Sequence, residues 1–447
     1  MSSPDKALRK YLDVHAEPES AWVREGLSPD RRYGHVLCIP AYGEGEGLFE
    51  TLSSIPEGPS GEVLTIVVIN ETAASPEWVR DANRVSLLEL RGRRDIAQSV
   101  MGSLVPHPRG DLLVIDRTQP DLSLPVGQGV GLARKIGADV ALALWATGGV
   151  ESPWIHCSDA DVRFPPDYFA QPIAATGDLG PLDGPAACIY PFRHRLEADP
   201  EIARAALCYE LFLRYYVLGL RSAGSPYAFH TIGSTLAISP LAYARARGFP
   251  RREAAEDFHL LAKLAKLGGI RPLRGEPLSL SGRVSERVPF GTGAGIAKEL
   301  GRSKAGQDYP AYDPRVFVWL GVWLRTLDPT EGSSLAPGSS LRDSLFDEAT
   351  RAEIDGPRLC ELLDELGVLA AAESGRARGT RHQHERFDAL RTLRFVHHLR
   401  ERQFPSIPLE TAIRAAPFLG FEVPQAPWDL SSTRKTLAQV EAIDLSS

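Results

Sequence analysis

Three things are scarce in this 447-residue chain: cysteine, long apolar runs and any surplus of basic charge. The five cysteines, Cys38, Cys157, Cys188, Cys208 and Cys360, have no paired short spacing. That excludes a zinc pattern and a disulfide framework, and a reducing cytoplasm is the expected home. The opening Met1-Ser2-Ser3-Pro4-Asp5-Lys6 carries no apolar signal core. No run reaches the roughly 18–20 apolar residues that span a bilayer; the best stretch, Val140 to Val150, is short and broken by Gly148-Gly149. A lipid-linked partner would therefore be met from the surface, at the inner face of a membrane. The formal net charge of -7 argues against a broad nucleic-acid footprint. An acidic chain that handles an anionic substrate needs a metal or a few placed arginines. Two nucleotide-binding signatures are missing as well. Gly43, Gly45 and Gly47 fall two apart instead of forming Gly-x-Gly-x-x-Gly, and no Walker lysine follows.

What is present reads as a folded, multi-domain chain, with 43% hydrophobic and 24% charged residues. His35 to Ile39 is a strand closed by Pro40, and a turn rich in glycine and glutamate leads into a helical pattern from Leu48. Val63 to Ile69 is a near-continuous β-branched run, as expected of a strand covered on both faces in a parallel sheet. It ends in Asn70-Glu71, where Asn70 could meet a base or ribose. Asp111 to Asp116 is a third strand. Gly127 to Asp139 turns into a helix bearing Arg134 and Lys135, which is either a diphosphate neighbour or a solvated basic face.

The segment around which the rest is organised is Trp154 to Pro166. Trp154 to Cys157 reads as a short strand and Pro165-Pro166 as a stop. Ser158-Asp159-Ala160-Asp161 then falls where a strand runs out into a loop, the usual ligand edge of an open α/β sheet. Residues two apart share a face of an extended chain, so Asp159 and Asp161 can address one cation. A polar turn is the alternative reading of the same residues. Downstream, residues 200–220 carry the apolar stripe of a long helix, and Glu256-Asp257 opens a helical run that Gly268 closes. An acidic pair there is either a site or ordinary capping chemistry.

In this order, Ile39 to Glu44, Gly129 to Gly137, Ser158 to Asp161 and Ala255 to Phe258 resemble the family 2 glycosyltransferases of the GT-A fold. The resemblance spans residues 33–290. It implies an α/β fold, an open and mostly parallel sheet flanked by helices. The residue patterns on either side of that span add a helical extension over 1–32 and a mainly helical domain over 296–447, around a nucleotide-sugar-binding catalytic domain over 33–295. The resemblance further implies that Pro40, Ala41, Tyr42 and Glu44 line the nucleotide and that Asp159 and Asp161 hold Mg2+ or Mn2+ against the diphosphate of a UDP- or GDP-sugar. His230, Gly233 and Ser234 would line the acceptor pocket. Asp257 would be the general base of an inverting transfer, oriented by Glu256.

The chain departs from the family at Gly43, where asparagine is common, and at Asn70-Glu71, where aspartates are usual. It also lacks the Gln-x-x-Arg-Trp segment, although Arg283 and Arg287 stand at a similar distance and could meet the departing diphosphate. The acceptor would be a saccharide, a small hydroxy acid or a lipid-linked hydroxyl. Three alternatives remain: a retaining GT-A enzyme acting on a small hydroxy acid, a sugar-phosphate nucleotidyltransferase, and an inactive interaction protein on the same fold. His382-x-His384, within a basic stretch, is a further candidate metal contributor.

Overall fold

The computed structural model describes residues 3–21, 31–92, 97–98, 102–177, 183–285, 291–328, 340–375, 379–421 and 428–443. The described residues divide into two compact units. The first is made of Met1–Glu197 and Thr231–Ala294, the second of Ala198–His230 and Gly295–Ser447. The long helix Pro200–Ser222 thus belongs with the C-terminal region, and the N-terminal helix Ser3–Val14 belongs with the sheet.

The first unit is built on strands β1 (His35–Ala41), β2 (Val63–Asn70), β3 (Ala97–Gln98), β4 (Gly102–His107), β5 (Gly110–Arg117), β6 (Ile155–Cys157), β7 (Ala187–Ile189), β8 (Phe192–His194), β9 (Leu236–Ile238), β10 (Ile270–Pro272) and β11 (Leu278–Leu280). Nine of these form one sheet in the order β10-β7-β9-β6-β1-β2-β5-β4-β3. The pairings make seven strands run one way, with β4 and β9 reversed. Both central strands are buried along their whole length, as the β-branched run in β2 requires of a strand covered on two faces. Helix Gly129–Ala146 covers one face; every residue from Gly131 to Leu144 is buried.

This topology fixes the ligand edge. β1, β2, β5, β6 and β7 all end on the same side of the sheet. β9, being antiparallel, starts there, with Leu236 opposite both Cys157 and Ile189. The loops after β1 and β6 and the loop before β9 are therefore brought to one place. A small parallel ladder of β8 with β11 delivers the chain to Arg283 beyond Leu280.

Among the described residues the second unit is helical apart from a two-residue ladder of β12 (Pro310–Ala311) with β13 (Ile407–Pro408). Helix Arg315–Leu327 carries Phe317, Leu320 and Trp323 into its core. Helix Pro200–Ser222 starts under Asp199, whose carboxylate accepts from the N–H groups of Glu201 at 2.8 Å and Ile202 at 3.2 Å. No described helix of the chain is long and apolar enough to cross a membrane.

Candidate functional site

The end of β6 is organised by one guanidinium. Arg134 comes from the N-terminal half of the Gly129–Ala146 helix and is only 5% exposed. Its Nη2 donates to Asp159 Oδ1, and its Nε donates to Glu256 Oε1 at 2.9 Å. Nη1 donates to the carbonyls of Ser158 and Gly233, each at 3.2 Å. Segments more than a hundred residues apart in sequence are thereby locked together. A Cβ at Gly233 would lie 2.7 Å from Arg134 Nη2, so a larger residue there would press the guanidinium off its partners. Burial works against the arginine's charge, but Asp159, Glu256 and Asp257 outweigh it and hold the guanidinium protonated.

Glu256-Asp257 opens helix Glu256–Gly268, as the sequence indicates. The residue before it, Ala255, has φ 59 and ψ 22, left-handed backbone that a residue with a Cβ rarely adopts. No side chain caps this helix. Asp257 Oδ1 instead accepts from the N–H of Phe258, its own neighbour, at 2.7 Å. Burial first, and the adjacent Glu256 carboxylate second, push the Asp257 carboxyl up to about 7. A carboxylate poised there is suited to take a proton near neutral pH. Strained backbone next to a perturbed acid is what a site looks like when geometry is held against local preference.

Asp161 is served by a second guanidinium. Arg283 Nη2 donates to Asp161 Oδ2 at 2.9 Å and to Glu44 Oε2 at 2.7 Å, joining the loops after β1 and β6. Arg195, just past β8, fixes the Asp161 backbone: Nη2 donates to its carbonyl at 2.9 Å, and Nη1 to that of Ser279 at 2.7 Å. The side chains of Asp159 and Asp161 retain 37% and 27% exposure. Among the described residues no three His, Cys, Asp or Glu side chains gather into a metal cage. The pair nonetheless fits a hard divalent ion that keeps waters and completes its shell with substrate phosphates, because that chemistry asks for one or two carboxylates only.

Other sequence candidates lie elsewhere or do different work. Lys135 does not face this edge. Its buried ammonium donates to Asp139 Oδ2 at 2.5 Å, Tyr11 Oη at 2.9 Å and the His15 carbonyl at 2.8 Å. It fastens the N-terminal helix to the first unit instead of offering charge to a phosphate. Arg134 reaches the edge, but its donors are committed to the protein, so it is a clamp and not an open phosphate ligand. Asn70 is buried, and its amide donates to the carbonyls of Ala41 at 2.9 Å and Val68 at 3.2 Å. It shapes the loop after β1 from within. Pro40 and Ala41 are likewise buried in β1, whereas Tyr42 and Glu44 are partly exposed. Gly233 and Ser234 lie on the loop before β9. His230 belongs to the second unit, where its Nε2 meets Glu441 Oε1 at 2.9 Å. Arg287 falls outside the described residues.

One contributor escaped the sequence reading. Asn83, on helix Glu77–Arg91, accepts from the Gly43 N–H at 3.0 Å and donates to the Asn70 carbonyl at 2.9 Å, holding the first loop. Its signal was visible: a lone amide at helical spacing between buried Val79 and Leu87. Arg195 closes the stretch Phe192 to Arg195, which in the sequence is either a ligand-facing segment or the surface end of a strand, and it serves the site through the Asp161 carbonyl.

No protein-family profile matches the chain, and no curated protein sequence matches it. Among solved structures it is similar to mannosyltransferase PcManGT from Pyrobaculum calidifontis in complex with GDP-Man and Mn2+, at 18% identity over 88% of this chain and 96% of that one, with a TM-score of 0.34. It is also similar to S. aureus TarS 1-349 in complex with UDP-GlcNAc, at 12% identity over 79% and 90% of the respective chains, with a TM-score of 0.37.

Proposed function

We propose that the first unit is a glycosyltransferase that moves a sugar from a nucleoside-diphosphate sugar to an acceptor hydroxyl with inversion. One observation supports this above the rest. The Arg134 clamp ties Asp159 to Glu256 at the carboxyl ends of the parallel strands, so the Asp-x-Asp loop and the poised carboxyl of Asp257 belong to one site.

In this reading the nucleotide of a UDP- or GDP-sugar lies along Tyr42, Glu44 and the end of β2. Asp159 and Asp161 would hold Mg2+ or Mn2+, which supplies positive charge to the diphosphate. The acceptor oxygen attacks the anomeric carbon as the carbon–oxygen bond to the diphosphate breaks, and Asp257 takes the acceptor's proton. Arg283 stabilises charge developing on the departing phosphate. Gly233 and Ser234 border the space beside the base, while Glu256, bound to Arg134, orients it. The acceptor class is a saccharide, a small hydroxy acid or a lipid-linked hydroxyl, and the setting is the cytoplasm or the inner face of a membrane.

A panel of UDP-, GDP- and thymidine-diphosphate sugars, with and without Mn2+, tests the reading through nucleoside-diphosphate release and product configuration. Release of a nucleoside diphosphate with an inverted product is expected. A retained configuration would move Asp257 from base to bystander, and pyrophosphate release would mean nucleotidyl transfer. Absence of nucleotide binding throughout the panel refutes the assignment.

A further inference from the structure

We infer that Arg283 is the resident counter-cation of the Glu44–Asp161 pair, and that a divalent ion displaces it efficiently only together with a nucleoside diphosphate that takes the guanidinium over. This rests on the function proposed above and adds an order to its binding steps.

The geometry carries the argument. A single nitrogen, Arg283 Nη2, is shared between Glu44 Oε2 at 2.7 Å and Asp161 Oδ2 at 2.9 Å. The two carboxylates come from different loops, and without a cation between them they would repel. The same Asp161 side chain is the hard oxygen donor expected for a divalent ion. The guanidinium and the ion therefore compete for one carboxylate.

The two arginines of the site are not equivalent in this competition. Arg134 is buried and bonded through Nε, Nη1 and Nη2 to four acceptors. Arg283 retains 33% side-chain exposure and is held by two carboxylate contacts through one nitrogen. It is the one able to turn away. A diphosphate offers it a matched bidentate acceptor in exchange. A divalent ion alone offers none and must break the ion pair without compensation. Ion and nucleotide binding are then positively coupled, and the coupling is reciprocal.

The test measures free Mn2+ by electron paramagnetic resonance against wild type, Arg283→Gln and Arg283→Lys. Each protein is titrated alone and with UDP or GDP, with circular dichroism confirming the fold. The wild type is expected to bind Mn2+ weakly alone and about 5–150-fold more tightly with the nucleotide, the usual span of such couplings. In Arg283→Gln the affinity for Mn2+ alone rises and most of the coupling disappears. Arg283→Lys, which keeps the charge, stays near wild type without nucleotide. If Arg283→Gln binds Mn2+ alone no more tightly than wild type while both bind the nucleotide complex, the exchange is refuted and the proposed function stands. If wild type binds neither nucleotide nor ion, both fall.

Discussion

The sharpest prediction concerns Asp257→Asn, because the site reading and the capping reading give opposite signs for stability. As a cap, the carboxylate would be worth about 0.5–2 kcal/mol, lost on substitution. The structure removes that role, since Ala255 occupies the cap position and Asp257 bonds only the N–H of Phe258, a bond an amide oxygen keeps. What the aspartate does instead is carry a carboxyl moved from 3.8 to about 7. The folded state thus binds the proton more tightly than the unfolded state. Stability is fully present below the unfolded value and declines as pH rises toward about 7. At 1.36 kcal/mol per unit the charged form costs the fold up to about 4 kcal/mol above neutrality. Asp257→Asn should therefore unfold at a higher denaturant concentration than wild type at about pH 8, with the gain shrinking toward about pH 4. The same variant should lose about 10²–10⁴ in transfer rate. Wild-type kcat/KM should fall on the acid side of about 7, with the protonation of Asp257. A variant that is less stable at about pH 8, or that keeps its rate within about tenfold, refutes the assignment of Asp257 as base.

Removing the Arg134 clamp with Arg134→Met leaves Asp159 and Glu256 unpaired, at about 3–5 kcal/mol. In the surviving fold the acid limb of the pH–rate profile moves upward, because Arg134 holds the Asp257 carboxyl down; an unmoved limb separates the clamp from the chemistry. Ala255→Gly should raise stability by about 1 kcal/mol, since glycine adopts the φ of 59 without a Cβ clash; a lower melting temperature would show that the strain is not there. Asp139→Asn leaves the Lys135 ammonium with only the Glu17 carboxylate, 3.6 Å away, and should lower stability by at most about 3–5 kcal/mol, with nucleoside-diphosphate affinity unchanged in the folded fraction. Loss of nucleotide affinity, measured by calorimetry, would return Lys135 to the diphosphate.

The parts of this molecule legible in its sequence are those set by local pattern. Val63 to Asn70 announces a doubly covered strand through its unbroken β-branched run, and the structure buries all eight residues. The helix from Glu256 to Gly268 begins and ends where the acidic pair and the glycine place it. The strand Ile155–Cys157 delivers Asp159 and Asp161 to the sheet's edge for the same reason. Partner choice was not legible. Arg134 and Lys135 are adjacent on one helix, so their side chains diverge by about 100°. One reaches Asp159 and Glu256, the other Tyr11 and Asp139. Nothing in a basic dipeptide says which of the two faces a ligand. His230 finds Glu441 more than two hundred residues away, and a lone histidine does not predict that. The β3–β4 hairpin was missed because its segment, following Arg91-Gly92, lacks alternating apolar residues.

The charge around the end of β6 gives the remaining argument. Five carboxylates meet there, those of Glu44, Asp159, Asp161, Glu256 and Asp257. Arg134 and Arg283 pair with four of them, and the guanidinium of Arg195 lies beside Asp161 as well. Each ionised carboxylate there contributes negative potential to the space a ligand would enter. A diphosphate carries more negative charge into that field, at a cost that grows as water is excluded. Arg134 cannot meet it, being buried and bonded to the protein on every nitrogen. Arg283 can meet part of it, but only by giving up its contacts with Glu44 and Asp161. A further positive charge arriving with the nucleotide would offset that loss. The two exposed aspartates are where such a charge has oxygen donors to bind. This is why the proposed metal and the proposed movement of Arg283 belong to a single binding event.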